Sequence, residues 1–357
     1  MWNANVSEAG PIDRGEIRLS LSGPAAAVEI LGAVPPEHLY RSLLGAYLSG
    51  IDCISIRQPP RLTVETDQVL RAFRARVCPG ARIGGSGAER ELSRFDEDPG
   101  ASLAEEALSL SEAVLRLIDD ALAPGPWGES LVIGWEARDD PIDRLAWKIH
   151  RQVMRRDAGP PSPGVPSEGR MDRVGWLEAS RILERMGDHA ARIGRLRSEG
   201  PPPTCDRARL GLVDDFGRHV RAYAGTAVGM LRRPVGLREA HEGIDLGEAL
   251  ELTATALFDR LAADEGGLDR TAPWGLVRLG RILDSEARIV AYTRDLIEVA
   301  LDHGRPVEET DRPHPAPREP GPLGSPPRRP VGGTVLPPAG SCLSTLGSDD
   351  GGTRDHA

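Results

Sequence analysis

The sequence predicts a mainly α fold, two tandem three-helix bundles preceded by a small α/β unit and followed by a disordered tail. Three observations predict it. Long segments with helical periodicity fill residues 101–303, the residues before them mix short strand-like runs with two amphipathic helices, and short motifs recur at nearly constant offset between the two helical halves. The implied units are 1–98 (α/β), 101–200 (first three-helix repeat), 204–303 (second repeat) and 304–357 (tail).

In the first unit, Glu16–Ser22 alternates apolar and polar residues as a half-buried strand does. Pro36–Leu48 reads as a helix, Gly50–Ile56 as a buried strand, Thr63–Val77 as an amphipathic helix, and Ala81–Ile83 begins another strand. Acidic and turn-forming residues at Asp96–Gly100 close the unit. Ser102 and Glu105 then occupy capping-box positions, and Leu103, Ala107, Leu110, Val114, Leu117 and Ala121 form the apolar stripe of the helix they start. A second helix covers Glu129–Arg156, a Pro-rich loop Gly159–Pro166, and a third helix Met171–Arg197. Gly200–Pro203 marks the internal boundary; Asp206–Leu231, Pro234–Ala263 and Ala272–His303 are the helices of the second half. Beyond His303, Pro, Gly, Arg and Ser dominate, with too few large apolar residues to offset the entropy of ordering.

The halves repeat. Arg181-Ile182-Leu183-Glu184 returns as Arg281-Ile282-Leu283-Asp284, an offset of 281 − 181 = 100, and Ile142-Asp143 as Ile244-Asp245, an offset of 244 − 142 = 102.

Composition narrows the function classes. The 357 residues carry a formal net charge of -10, and Lys148 is the single lysine. An acidic total disfavours non-specific nucleic-acid binding, which neutralises phosphates, and suits a protein that attracts cations. Cys53, Cys78, Cys205 and Cys342 are scattered with no Cys-x-x-Cys pair, which points away from structural zinc and toward a reducing compartment. Met1–Glu16 lacks signal-peptide order, and no run reaches the roughly 18 apolar residues of a membrane span, so the expected location is cytoplasmic. None of the eight histidines has Glu three residues before it, as helical di-iron enzymes require, and Lys148 follows Trp147 with no Gly-rich phosphate loop. The chain reads as a non-enzyme.

Two acidic pairs at four-residue spacing carry the functional signal: Asp139 with Asp143, and Glu184 with Asp188. That spacing stacks two carboxylates on one helix face. Glu184 and Asp188 fall opposite the face of Ile182, Leu183, Met186, Ala190 and Ile193, while Asp139 and Asp143 lie away from Leu145, Ile149 and Val153. Each pair is expected to point outward, either as an ordinary solvated face or as half of a site for hard cations. Pro141 either bends its helix or starts a new one capped by Asp140. His150 and His189 are peripheral ligands or plain solvated histidines. In the second half Asp139 becomes His241, Asp143 becomes Asp245, Glu184 becomes Asp284 and Asp188 becomes Arg288. A guanidinium cannot ligate a cation, so that site is expected to be weakened, with Arg288 placed to pair with Asp284.

The run Arg181-Ile-Leu-Glu-Arg-Met-Gly-Asp-His-Ala-Ala-Arg-Ile-Gly194 resembles the signature of the PhoU family, regulators of phosphate uptake, and Asp139-Asp-Pro-Ile-Asp143-Arg-Leu-Ala-Trp147 resembles that family's partner helix. Tyr47–Ile56 is similar to a segment of longer archaeal PhoU-like proteins, which often begin with an AbrB-type DNA-binding domain; here no basic hairpin precedes Glu16. The resemblance implies two three-helix bundles. It implies divalent or trivalent metal ions, iron among them and more than one per site, at Asp139, Asp143, Glu184 and Asp188, with Asp245 and Asp284 matching half of a second site. It also implies a dimeric, negatively acting adaptor between the phosphate ABC transporter's ATPase subunit and a sensor or regulator. The alternative it leaves is a DNA-binding transcriptional regulator working through the N-terminal unit.

Overall fold

Strands β1 (Glu16–Ser22) and β2 (Ala25–Leu31) form an antiparallel hairpin at the outer side of a five-stranded sheet of order β1-β2-β3-β5-β4. A parallel crossover through α1 (Pro36–Leu48) leads to β3 (Cys53–Arg57), and α2 (Val64–Val77) leads to β4 (Arg82–Gly84) and β5 (Glu89–Ser93). The structure, a computed structural model, describes residues 16–22, 25–95, 102–123, 134–157, 171–201, 207–263 and 274–304; the expected tail and the Pro-rich loop lie outside the described residues.

One face of the sheet, Ala26, Val28, Ile30, Ile54, Ile56 and Leu92, is buried against Leu39, Leu43 and Tyr47 of α1 and Leu70, Phe73 and Val77 of α2. Two strands were not expected. β2 opens on three alanines, and β5 offers one large apolar residue, Leu92; each becomes a strand by pairing with β3, where Ala26 and Leu92 both face Ile54. Gly85, at φ 88°, turns β4 into β5 where an added Cβ would lie 2.8 Å from the Glu89 carbonyl oxygen.

The helical half begins as expected. The Ser102 hydroxyl accepts from the Glu105 amide at 3.1 Å while the Glu105 carboxylate accepts from the Ser102 amide at 3.3 Å, which fixes the start of α3 (Leu103–Leu122). Then follow α4 (Trp135–Asp157), α5 (Arg173–Ser198), α6 (Arg207–Leu231), α7 (Leu237–Ala263) and α8 (Trp274–Asp302). Asp172 caps α5 by accepting from the Gly175 amide at 2.7 Å, so the helix starts at Arg173, two positions later than the periodicity places it. Pro141 lies inside α4, which runs through it without a restart.

The helix triplets α3–α5 and α6–α8 share one hydrophobic core. Their seam is antiparallel: Arg278 of α8 pairs with Glu199 beyond the end of α5 (3.1 Å), and His303 contacts Asp172 at its start (3.1 Å). Arg221 of α6 and Arg232, just beyond its end, similarly reach Asp119 and Glu112 of α3.

Arg151 of α4 joins the α/β unit to the helices. It is 1% exposed, donates to the carbonyls of Tyr47 (2.9 Å) and Ile51 (2.6 Å), and lies over the rings of Tyr47 and Phe95. A charged group taken so far from water is tolerated because carbonyls and aromatic faces replace its hydration.

The shared core also encloses Glu286 of α8, whose two carboxylate oxygens have no hydrogen-bond partner among the described residues. Burial pushes its pKa well above the ordinary 4.5, the nearby Arg197 opposing and Asp214 reinforcing the shift. A carboxyl whose pKa is raised by folding contributes its full stability below the unfolded pKa and loses it as pH rises. Glu286→Gln, which has no charge to bury, is therefore expected to be more stable than the parent by about 1–3 kcal/mol near neutral pH, the two converging toward acid pH in thermal melts.

Candidate metal centre

The site starts from two glycines seven residues apart on α5. An added Cβ at Gly194 would stand 2.3 Å from Trp135 Cε2, and one at Gly187 would stand 3.0 Å from Asp139 Oδ1 and 3.1 Å from Ile142. Glycine inside a helix costs about 1 kcal/mol against alanine. Here the missing side chains let α4 run antiparallel to α5 at close range, and they set Asp139 and Asp143 beside Glu184 and Asp188.

Asp139, Asp143 and Asp188 each offer one oxygen within 4.8 Å of the others. Asp143 is buried, Asp139 half-buried and Asp188 exposed, so the cluster is sunk on the α4 side and opens at α5. Asp139 Oδ1 is buried without a hydrogen-bond partner among the described residues. Glu184, one turn from Asp188, completes the group electrostatically.

Carboxylates this close and this dry cannot all ionise. Burial, with the charges of Asp143 and Asp188, pushes Asp139 up to about 8. Asp143 is raised to about 6 by burial and Asp188, with Arg76 opposing, and Glu184 to about 7 by burial, Asp188 and Asp143, with Arg185 and Arg181 opposing. The opposing cation at Asp143 comes from α2: Arg76 donates from Nη2 to Asp143 Oδ2 at 3.3 Å, and its Nε lies 3.1 Å from Asp140 Oδ1.

The outward orientation expected of Asp139 and Asp143 is corrected for Asp143, which is 8% exposed. The stripe on α4 is as expected, but the α/β unit packs α1 and α2 against that helix and covers what would be its solvent side.

The remaining candidates stand elsewhere. The His189 ring turns toward α8, 5.8 Å from that of Tyr292, and His150 is half-buried with its pKa lowered by burial and Arg181. Asp245 and Asp284 are both exposed and are not brought together. Gly243 of α7 approaches Ile297 and Gly247 approaches Arg294, so Asp245 sits beside the C-terminal half of α8. Asp284 is some ten residues away along that helix, about 15 Å at 1.5 Å per residue. The motifs repeat, but the pairing register of their helices does not. Tyr223 of α6 fills the space beside α7, donating to the Gly243 carbonyl at 2.9 Å, and Arg294 pairs with Glu251 at 2.9 Å. No ion pair joins Arg288 to Asp284 among the described residues. Arg76, Gly187 and Gly194 are what sequence reasoning missed; the two helical glycines were a readable signal of close approach, whereas nothing local marks Arg76.

A family model described as the PhoU domain matches residues 103–196. Residues 103–196 form a PhoU domain. The match spans α3, α4 and nearly all of α5, and so contains Asp139, Asp143, Glu184 and Asp188. No curated protein and no solved structure matches the chain. Among the described residues, no helix is long and apolar enough to cross a membrane. In front of the PhoU domain, the outer sheet face mixes Arg57 and Arg82 with Glu29, Glu89 and Glu91 and, among the described residues, has no basic stripe of the kind phosphate backbones select.

Gly194→Ala places a methyl against the rigid indole of Trp135. It is expected to lower stability by about 1–3 kcal/mol in denaturant titration, far more than an alanine at an open helical glycine such as Gly211, which would gain stability.

Proposed function

We propose that this PhoU-domain protein is a non-enzymatic, cytoplasmic regulator of phosphate uptake and phosphate signalling that binds metal at the α4–α5 seam and acts by docking. Its partners in this reading are the phosphate ABC transporter's ATPase subunit and a sensor or regulator. The observation that carries the metal reading is Asp139, whose Oδ1 is buried without a hydrogen-bond partner among the described residues and which offers one oxygen within 4.8 Å of those of Asp143 and Asp188. An all-oxygen donor set fits hard cations such as magnesium, manganese or iron. Asp139, Asp143 and Asp188 would hold the ion, with Glu184 as a further donor. A bound cation would neutralise the cluster and so change how this face meets a partner.

Protein purified without added metal, assayed by elemental analysis, is expected to contain metal that the Glu184→Ala, Asp188→Ala protein lacks while keeping its circular dichroism. Equal metal in both would remove these carboxylates from the mechanism. Because Asp143, Glu184 and Asp139 hold protons up to about 6, 7 and 8, binding must expel them. Affinity for Mn²⁺ is therefore expected to rise with pH through that range, with proton release visible as a dependence of the calorimetric heat on buffer ionisation enthalpy.

A further inference from the structure

We infer that Arg76 is a built-in competitor for the metal, a tethered cation through which occupancy of the α4–α5 cluster is transmitted to the N-terminal α/β unit. This inference rests on the metal reading above. Arg76 stands in the last turn of α2, far from the cluster in sequence, and crosses to α4 to meet Asp143 Oδ2 at 3.3 Å and Asp140 Oδ1 at 3.1 Å. Among the described residues it is the one basic side chain ion-paired with the cluster or with Asp140; Arg181 and Arg185 act on Glu184 from α5 without an ion pair.

Two roles compete for such an arginine. It could orient Asp143 for the metal, as outer-shell groups do, or it could occupy charge that the metal needs. The surroundings decide. Asp143 is already held by burial, at 8% exposure, and needs no further orientation, whereas a guanidinium touching one of the prospective ligands repels any cation bound to the others. The Arg76 side chain is half exposed, so it can leave for water at little cost. The unit has other attachments to α4: Arg151 is buried on the Tyr47 and Ile51 carbonyls, Arg155 pairs with Asp52 at 3.0 Å, and Trp147 packs against the core of the unit. An arriving cation would therefore free the C-terminal turn of α2 while the unit stays docked on α4. By reciprocity, whatever holds α2 down weakens the metal.

The test uses the full-length chain stripped of metal by chelator, with Mn²⁺ alone as the probe, comparing the parent with Arg76→Ala and Arg76→Gln. Calorimetry is expected to show binding about tenfold or more tighter in both variants, the gain shrinking with added salt. Hydrogen exchange at Arg74–Cys78 is expected to quicken on Mn²⁺ addition in the parent and to be fast and insensitive to Mn²⁺ in the variants. Equal or weaker Mn²⁺ binding in the variants would overturn the competition while leaving the metal reading intact. Exchange at Arg74–Cys78 that ignores Mn²⁺ in the parent would overturn the transmission. An absence of Mn²⁺ binding in parent and variants alike would remove both this inference and the metal reading on which it rests.

Discussion

Repulsion among carboxylates at the α4–α5 seam is the constraint around which the rest of this molecule is arranged. Two helices can approach closely only where one gives up side chains, and Gly187 and Gly194 do so at the level of Asp139 and Trp135. The approach that packs the indole also forces Asp139, Asp143 and Asp188 together. Packing and electrostatics thus pull in opposite directions within a few residues. Protons and a guanidinium from α2 relieve the conflict, and a cation bound as proposed would do so in their place.

The N-terminal unit is tied into this balance physically, not merely attached to the helical array. Arg151 gives it a buried anchor on α4, and Arg76 gives it a charged contact at the cluster itself. The second repeat has settled the same problem differently. Arg294 neutralises Glu251, Tyr223 fills the space beside α7, and the helices meet in another register, so Asp245 and Asp284 stay apart. The N-terminal unit packs on the first of the two triplets, through α4.

Much of this was readable from local chemistry. Ser102 and Glu105 announce a helix start, the 3.6-residue stripes give six helices, and four-residue spacing puts each acidic pair on one face. What could not be read depends on partners distant in sequence. Asp143 is buried because α2 lies across it, and the Arg76 contact spans 67 positions with no local pattern to mark it. Leu92 shows the same limit in β5, since a strand with one large apolar residue exists only because Ile54 waits beside it. The repeat motifs located corresponding helices, but register between helices is set by which small residues face which large ones, and Gly243 facing Ile297 has no counterpart in the matched letters.

The antiparallel seam between α5 and α8 bears on how this protein can be divided. Trp176, Leu183, Met186, Ile193 and Val114, all within the matched segment, belong to the same core as Val220, Leu283 and Ile289 beyond it. The borders of the recognised domain are therefore borders of ancestry, not of autonomous folding. Excising residues 103–196 would strip an oily flank bare, and a soluble fragment must keep both triplets.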